Sequence, residues 1–388
     1  MKKKILIIFL SAMLSVGLLA GCGEEVDSPI IATVEPEDIG GGSEGSEATG
    51  DSTQNQPGGE VTDGEEEEEE EEESKVLDPS QAYRSELTNE WIDKALKDQR
   101  PVAIMVDNES TALPHYGLTE ADVVYEMMNS TANNRVTRLM AIVKDWKNIK
   151  QFGSIRSVRQ TNVMMAAEWN AVLVHDGGPF YVDEWLARKY CDNLSGGFSR
   201  IDNGKAREFT EYVCEGELEK RFKANKFSEE YNDYYPGSHF KFSDEEFDLA
   251  DDYKTIDCTE IKLPFPHNRS TLTYNEETGT YDYSEYGAKH LDPQHNNKQL
   301  SFENVILQDT TFTQLDKNGY LIYNTVDKGR KGYYITNGKA VEITWSKKKE
   351  DALTVYKIKE TGEEITLNTG KTYIALVPSD GWKDMVIN

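Results

Sequence analysis

The chain has 388 residues, 42 Lys+Arg against 70 Asp+Glu, a net charge of −28 and 37% apolar residues. That length accommodates two domains of ordinary size. The acid is concentrated in residues 23–80, with 21 acids and one lysine, whereas 81–388 hold 49 acids against 38 bases; a mildly acidic globular part argues against a nucleic-acid partner.

Lys2, Lys3 and Lys4 precede an apolar run, Ile5–Ala20, too short to span a membrane comfortably. A basic start and a short apolar core read as a secretory signal over 1–22. Leu19-Ala20-Gly21-Cys22 resembles the bacterial lipobox. Cys22 is therefore the expected lipidation site, and its acyl chains the expected membrane partner, placing the protein on the outer face of the cytoplasmic membrane. Residues 23–80, with nine consecutive glutamates at Glu65–Glu73, cannot bury enough apolar surface to fold and predict a disordered acidic tether. Cys191, Cys214 and Cys258 have irregular spacing, which leaves open one bridge or simple burial and gives no metal motif.

From residue 81 the pattern becomes globular. Pro101–Val106, Val123–Met128, Val136–Val143 and Ala171–His175 predict buried strands, and Val158–Trp169 a helix. Phe180–Lys189 and Gly216–Phe227 are further helix candidates. Interleaved strands and helices predict an α/β domain over 81–246 with a mostly parallel or mixed sheet. Over 247–388 the pattern alternates in short segments, among them Thr271–Tyr274, Tyr281–Ser284, Val305–Gln308, Ala340–Trp345, Leu353–Ile358, Glu364–Leu367 and Tyr373–Val377. Turn pairs such as Asn318-Gly319, Asn337-Gly338 and Thr361-Gly362 separate them, predicting an all-β meander or sandwich. The fold class expected for the whole is α+β.

Several ordered motifs carry a family resemblance. In the first half they are Arg100–Asn108, Gly117-Leu118, Ala121–Glu126, Thr137–Ala141, Gly153–Arg159 and His175–Gly178. In the second they are Asn304–Gln308, Gly338-Lys339, Ile343–Lys347 and Leu367–Tyr373. Together they resemble the YerB-like lipoprotein family of Gram-positive bacteria over about residues 85–385, which implies an extracytoplasmic lipoprotein and no known reaction. Two departures stand out: Asn129–Asn134 replaces an acidic Gly segment, and Arg207-Glu208-Phe209 stands where the family has Pro-His-Asn.

The densest polar constellation is Gly153–Arg159 followed by Val174–Gly178. If Ser154-Ile155 ends a strand, Arg156-Ser157 opens a helix and Ala171–His175 returns parallel, then Arg156, Ser157, His175 and Asp176 share one crevice. Arg156, Arg159 and Arg138 would clamp an anion there, helped by a helix N-terminus. The same arginines would equally serve by pairing with Asp107, Asp122 or Glu126. One histidine without a paired nucleophile gives no catalytic constellation; no cofactor and no metal are expected, and His290 and His295 read as loop residues. Asp107, Arg138, Arg156 and Arg159 also resemble the polar set of LytR–CpsA–Psr wall-polymer phosphotransferases, which implies phosphoryl transfer as the alternative; the Pro-Arg-Asp of those enzymes is absent. In the β half, Trp345 and Trp382 are candidates for an exposed aromatic patch. The leading expectation is a binding module for an anionic or glycan envelope ligand or a wall-synthesis protein.

Overall fold

The computed structural model describes residues 78–388. The signal segment 1–22 with Cys22, and residues 23–77 of the tether, lie outside the described residues. The N-terminal segment forms strands β1 (Val102–Asp107), β2 (Val123–Met128) and β3 (Thr137–Val143), helix α1 (Gln160–Ala167), strands β4 (Val172–His175) and β5 (Asn193–Ser195), and helix α2 (Glu217–Asn225). The C-terminal segment adds β6 (Thr271–Asn275), β7 (Thr280–Glu285), β8 (Asn304–Thr310), β9 (Asp327–Thr336), β10 (Lys339–Lys347), β11 (Thr354–Ile358) and β12 (Thr372–Pro378). The molecule is mostly sheet with few helices.

One 11-stranded mixed sheet runs in the order β5-β4-β1-β3-β2-β12-β8-β9-β10, and the far edge of β10 is covered by β11 and by Ile256–Asp257. The pairs β1/β4, β4/β5, β2/β12 and β8/β12 are parallel, and the rest antiparallel. Strand β12 pairs with β2 from Thr372↔Val123 to Leu376↔Met127. Strands from both sides of 246/247, where the sequence pattern changes, share this sheet. Every residue of β1, β2, β3, β8 and β12 is buried, as expected of strands covered on both faces.

On one face, Val163, Met164 and Met165 of α1 join Ala103, Met105, Val341 and Ile343 in a core. On the other, Val102, Ile104, Val305 and Tyr373 meet Leu272, Tyr281 and Phe302 from a second, antiparallel six-stranded sheet. Helix α2 adds Phe222, stacked on Trp146 at 4.5 Å between ring centroids.

Several expectations need correction. The strand ending near Ser154 is Gln151–Gly153, and it pairs with Glu211–Cys214, whereas the parallel neighbours of β4 are β1 and β5. The helix expected over Phe180–Lys189 is a 3₁₀ turn, Phe180–Val182, and a single α turn, Asp183–Leu186. Glu364–Leu367 makes only isolated bridges. The turn Asn337-Gly338 has φ of 48° and 71° and joins β9 to β10, as a type I′ hairpin requires. At Asn318-Gly319 only the glycine is left-handed. Trp345 is fully buried, so it belongs to the core; Trp382 is half-buried and stacks on Tyr333. Cys191, Cys214 and Cys258 are free thiols. Among the described residues no helix is long and apolar enough to cross a membrane.

Candidate functional site

The C-terminal end of β1 delivers Asp107, fully buried, to a point where three other segments converge. Residues 154–156 cross this strand end: Asp107 N–H donates to Ser154 C=O, and Arg156 N–H to Met105 C=O. Antiparallel pairing puts Arg138 of β3 directly opposite Asp107. One Asp107 oxygen accepts from Arg138 Nη1 at 2.8 Å, and the other from Arg156 Nε at 2.5 Å. Arg156 then reaches Glu208 with Nη2 at 2.6 Å and lies over the Phe209 ring.

Arg159 stands immediately before α1, where its backbone N–H is capped by the Asn162 side chain at 2.8 Å. The residue is only 6% exposed, and its guanidinium donates to its own neighbour's carbonyl, Val158, and lies 4.5 Å from the centre of the Tyr320 ring. No carboxylate lies within ion-pair distance of it among the described residues. The Nε atoms of Arg138 and Arg159 are both buried without a hydrogen-bond partner. Three guanidiniums therefore share two carboxylates, Asp107 and Glu208. Burial, followed by the Arg138 guanidinium, pulls the Arg159 pKa down to about 10. Burial likewise lowers Arg138. For Arg156 burial acts the same way, but Asp107 and Glu208 outweigh it and hold its proton more tightly.

The other expected site residues do something else. His175 is buried, with Nδ1 bonded to Gly177 C=O at 2.9 Å and Nε2 facing Asn193 Oδ1 at 3.3 Å. Both ring nitrogens are occupied, and burial lowers the pKa; this is a histidine capping the sheet. Asp176 turns toward Arg200 at 3.5 Å. It meets Arg156 through the backbone alone, its N–H donating to the Arg156 carbonyl. Ser157 precedes α1 by three residues, too early to cap it. Thus Arg138, Arg156 and Arg159 come together, and His175 and Asp176 face other partners.

Residues 87–228 match the family described as Protein of unknown function (DUF3048) N-terminal domain, and residues 261–374 match its C-terminal domain. The chain belongs to the DUF3048 family. A relative within it, "Putative lipoprotein YerB" of Bacillus subtilis, is 24% identical over 312 residues, spanning 78% of this chain and 88% of the relative. A crystal structure of the YerB protein from Bacillus subtilis superposes with a TM-score of 0.66 at 20% identity, covering 79% of this chain and 99% of that one; at this identity the likeness concerns the fold.

In this DUF3048 chain, the 3₁₀ turn Arg207–Phe209 supplies Glu208 and Phe209 to Arg156. Sequence reasoning missed both, and it missed Tyr320 and Tyr181. Tyr320 arrives on the β-segment turn at Gly319, which packs against Ser130–Ala132 so closely that a Cβ there would lie 2.6 Å from the Ala132 nitrogen. No local signal links these positions to Arg159.

Proposed function

We propose that this protein is a lipid-anchored envelope lipoprotein that binds an anionic ligand through Arg138, Arg156 and Arg159. The observation that carries this reading is the Arg159 guanidinium, buried and without a carboxylate. An uncompensated buried charge is costly, and an anion placed against it would offset that cost while using the idle Nε groups. Rings lead outward from the site: Tyr320 lies 6.5 Å from Tyr181, and Tyr181 lies 5.0 Å from Phe180, which is 82% exposed. A phosphate or carboxylate carried on a sugar or lipid suits such a path, the rings covering the apolar part.

The test uses Arg159→Met. Because Arg159 has no ion partner to leave behind, the variant should match or exceed the wild type in melting temperature without ligand. Phosphate or pyrophosphate at constant ionic strength should stabilise the wild type, by about 2.7 kcal/mol at a hundredfold excess over Kd, and leave the variant unmoved. Equal stabilisation of both would remove Arg159 from the site.

The anchor on Cys22 is supported by the Leu19–Cys22 pattern and by the name of the relative. Cys22→Ala should move the protein from the membrane fraction to the soluble fraction or leave an uncleaved precursor. Retention on the membrane of a mature, unlipidated chain would exclude the anchor.

A further inference from the structure

We propose that His115 and His290, backed by Glu285, bind a divalent transition-metal ion of the zinc class. The two histidines come from different segments of the family fold: His115 follows β1, whereas Glu285 ends β7 and His290 follows it. Both rings are almost fully buried, with centroids 5.0 Å apart and planes at 42°. Ligand atoms of His115, Glu285 and His290 all lie within 4.8 Å of one another, a spread that one ion can draw together with small side-chain adjustments.

The orientation of each ring is fixed from behind. His115 Nε2 lies 2.6 Å from the Asp107 carbonyl, and His290 Nδ1 lies 2.9 Å from Glu285 Oε1. A carbonyl only accepts. Glu285 also accepts, its other oxygen taking the Asn268 N–H at 3.3 Å and the Tyr283 hydroxyl at 3.4 Å. Those two nitrogens therefore carry the protons. The opposite atoms, His115 Nδ1 and His290 Nε2, are buried with no hydrogen-bond partner.

Two imidazoles, each bonded through one nitrogen to a carbonyl or carboxylate and with the other nitrogen buried and unpartnered, have the supporting shell of metal-binding histidines. Imidazole nitrogens select zinc, copper, nickel or iron over magnesium and calcium. A cleft of about 320 Å³, lined by Leu113, Pro114, Tyr286 and Leu291 and floored by Glu285 and His290, gives the ion a way in. The expectation of no metal from the sequence has a plain cause: the two histidines lie far apart along the chain, outside any ligand spacing.

The site does not depend on the anion reading, and its test reads metal directly. Full-length protein, stripped with a chelator and titrated with Zn²⁺ alone, should take up one equivalent that His115→Ala or His290→Ala removes. Each substitution should weaken zinc binding by at least ~100-fold and Glu285→Gln by about 10- to 100-fold, since a ligand counts for more than the group that orients it. Weak zinc uptake by the acidic run Glu65–Glu73 or by the free thiols would be equal in all variants and so cancels. Zinc K-edge absorption of the wild type needs no variant: two imidazoles in a nitrogen and oxygen shell are expected. A sulfur shell, or uptake unchanged by removal of both histidines, would overturn the proposal and leave the lone pairs to a buried water.

Discussion

Lys347→Met is expected to lower stability by about 3–5 kcal/mol, because it strands a buried carboxylate. Lys347 of β10 and Glu168 just after α1 are both sealed from solvent, with Nζ 2.5 Å from Oε1. Nζ also donates to the Ala352 carbonyl at 2.6 Å. Glu168 retains the Thr354 N–H at 3.1 Å and hydroxyl at 2.8 Å, and the buried His239 ring with Nε2 3.0 Å from its Oε2, but none of these is a fixed positive charge like the ammonium. Urea denaturation would measure the loss, and heating should show a fall in Tm on the order of 10 °C. The companion variant Lys347→Met/Glu168→Gln removes the stranded charge and should recover a substantial part of the loss. A single-variant loss below about 1 kcal/mol would mean that Glu168 sheds its charge or that His239, 3.0 Å away, takes up a proton in place of Lys347.

Trp345→Ala should cost a similar amount, about 3–5 kcal/mol, for a different reason. The indole is 0% exposed, shares a core with Ile343, Tyr356 and Leu376, and donates from Nε1 to the Asp309 carbonyl at 3.1 Å. Truncation leaves a cavity between β10 and its neighbours, while the Asp309 carbonyl keeps the Arg330 Nε–H at 3.0 Å. Trp382→Ala, at a half-buried ring stacked on Tyr333, should cost no more than about 1.5 kcal/mol. Thermal unfolding of the two variants side by side distinguishes core from surface. If the two losses were equal, the packing described for Trp345 would be wrong.

The strands most legible in the sequence are those buried on both faces. Val102–Val106 is a continuous apolar run, and Val123–Met128 is broken only by Glu126; such runs need no partner to be recognised. Their neighbours are not legible, because an apolar run carries no address. Sequence order suggests that the segment ending at Ser154 lies beside Ala171–His175, yet it pairs with Glu211–Cys214, much further along the chain. Strand β9 escapes recognition because its first half, Asp327–Lys331, is charged and largely exposed, and only its later residues are buried. In contrast, Asn304–Thr310 and Thr372–Pro378 pass for ordinary alternating strands, although their unbroken apolar centres already carry the mark of central, parallel strands.

The candidate site divides along the same line. Arg156 and Arg159 are close in sequence, and Arg138 is reachable through strand reasoning, so the three can be grouped from the sequence alone. Adjacency adds His175 and Asp176 to the group. Along an extended strand, however, successive side chains point to opposite sides, and these two take other partners. Glu208, Tyr320 and the pair His115 and His290 depend on contacts made across the whole chain, which no window of sequence contains.

The place of β12 in the sheet has a consequence for the order of events during synthesis. Tyr373, on the last long strand made, donates its hydroxyl to Glu126 on β2, 247 residues earlier. Until that strand leaves the ribosome, β2 has one bare edge and β8 lacks its parallel neighbour. A nascent chain cannot close the main sheet by stages, and such distant pairings are slow to form. Bare apolar strand edges also invite association with other chains in the meantime. The strand that arrives last is thus the one that joins the two segments of the sheet.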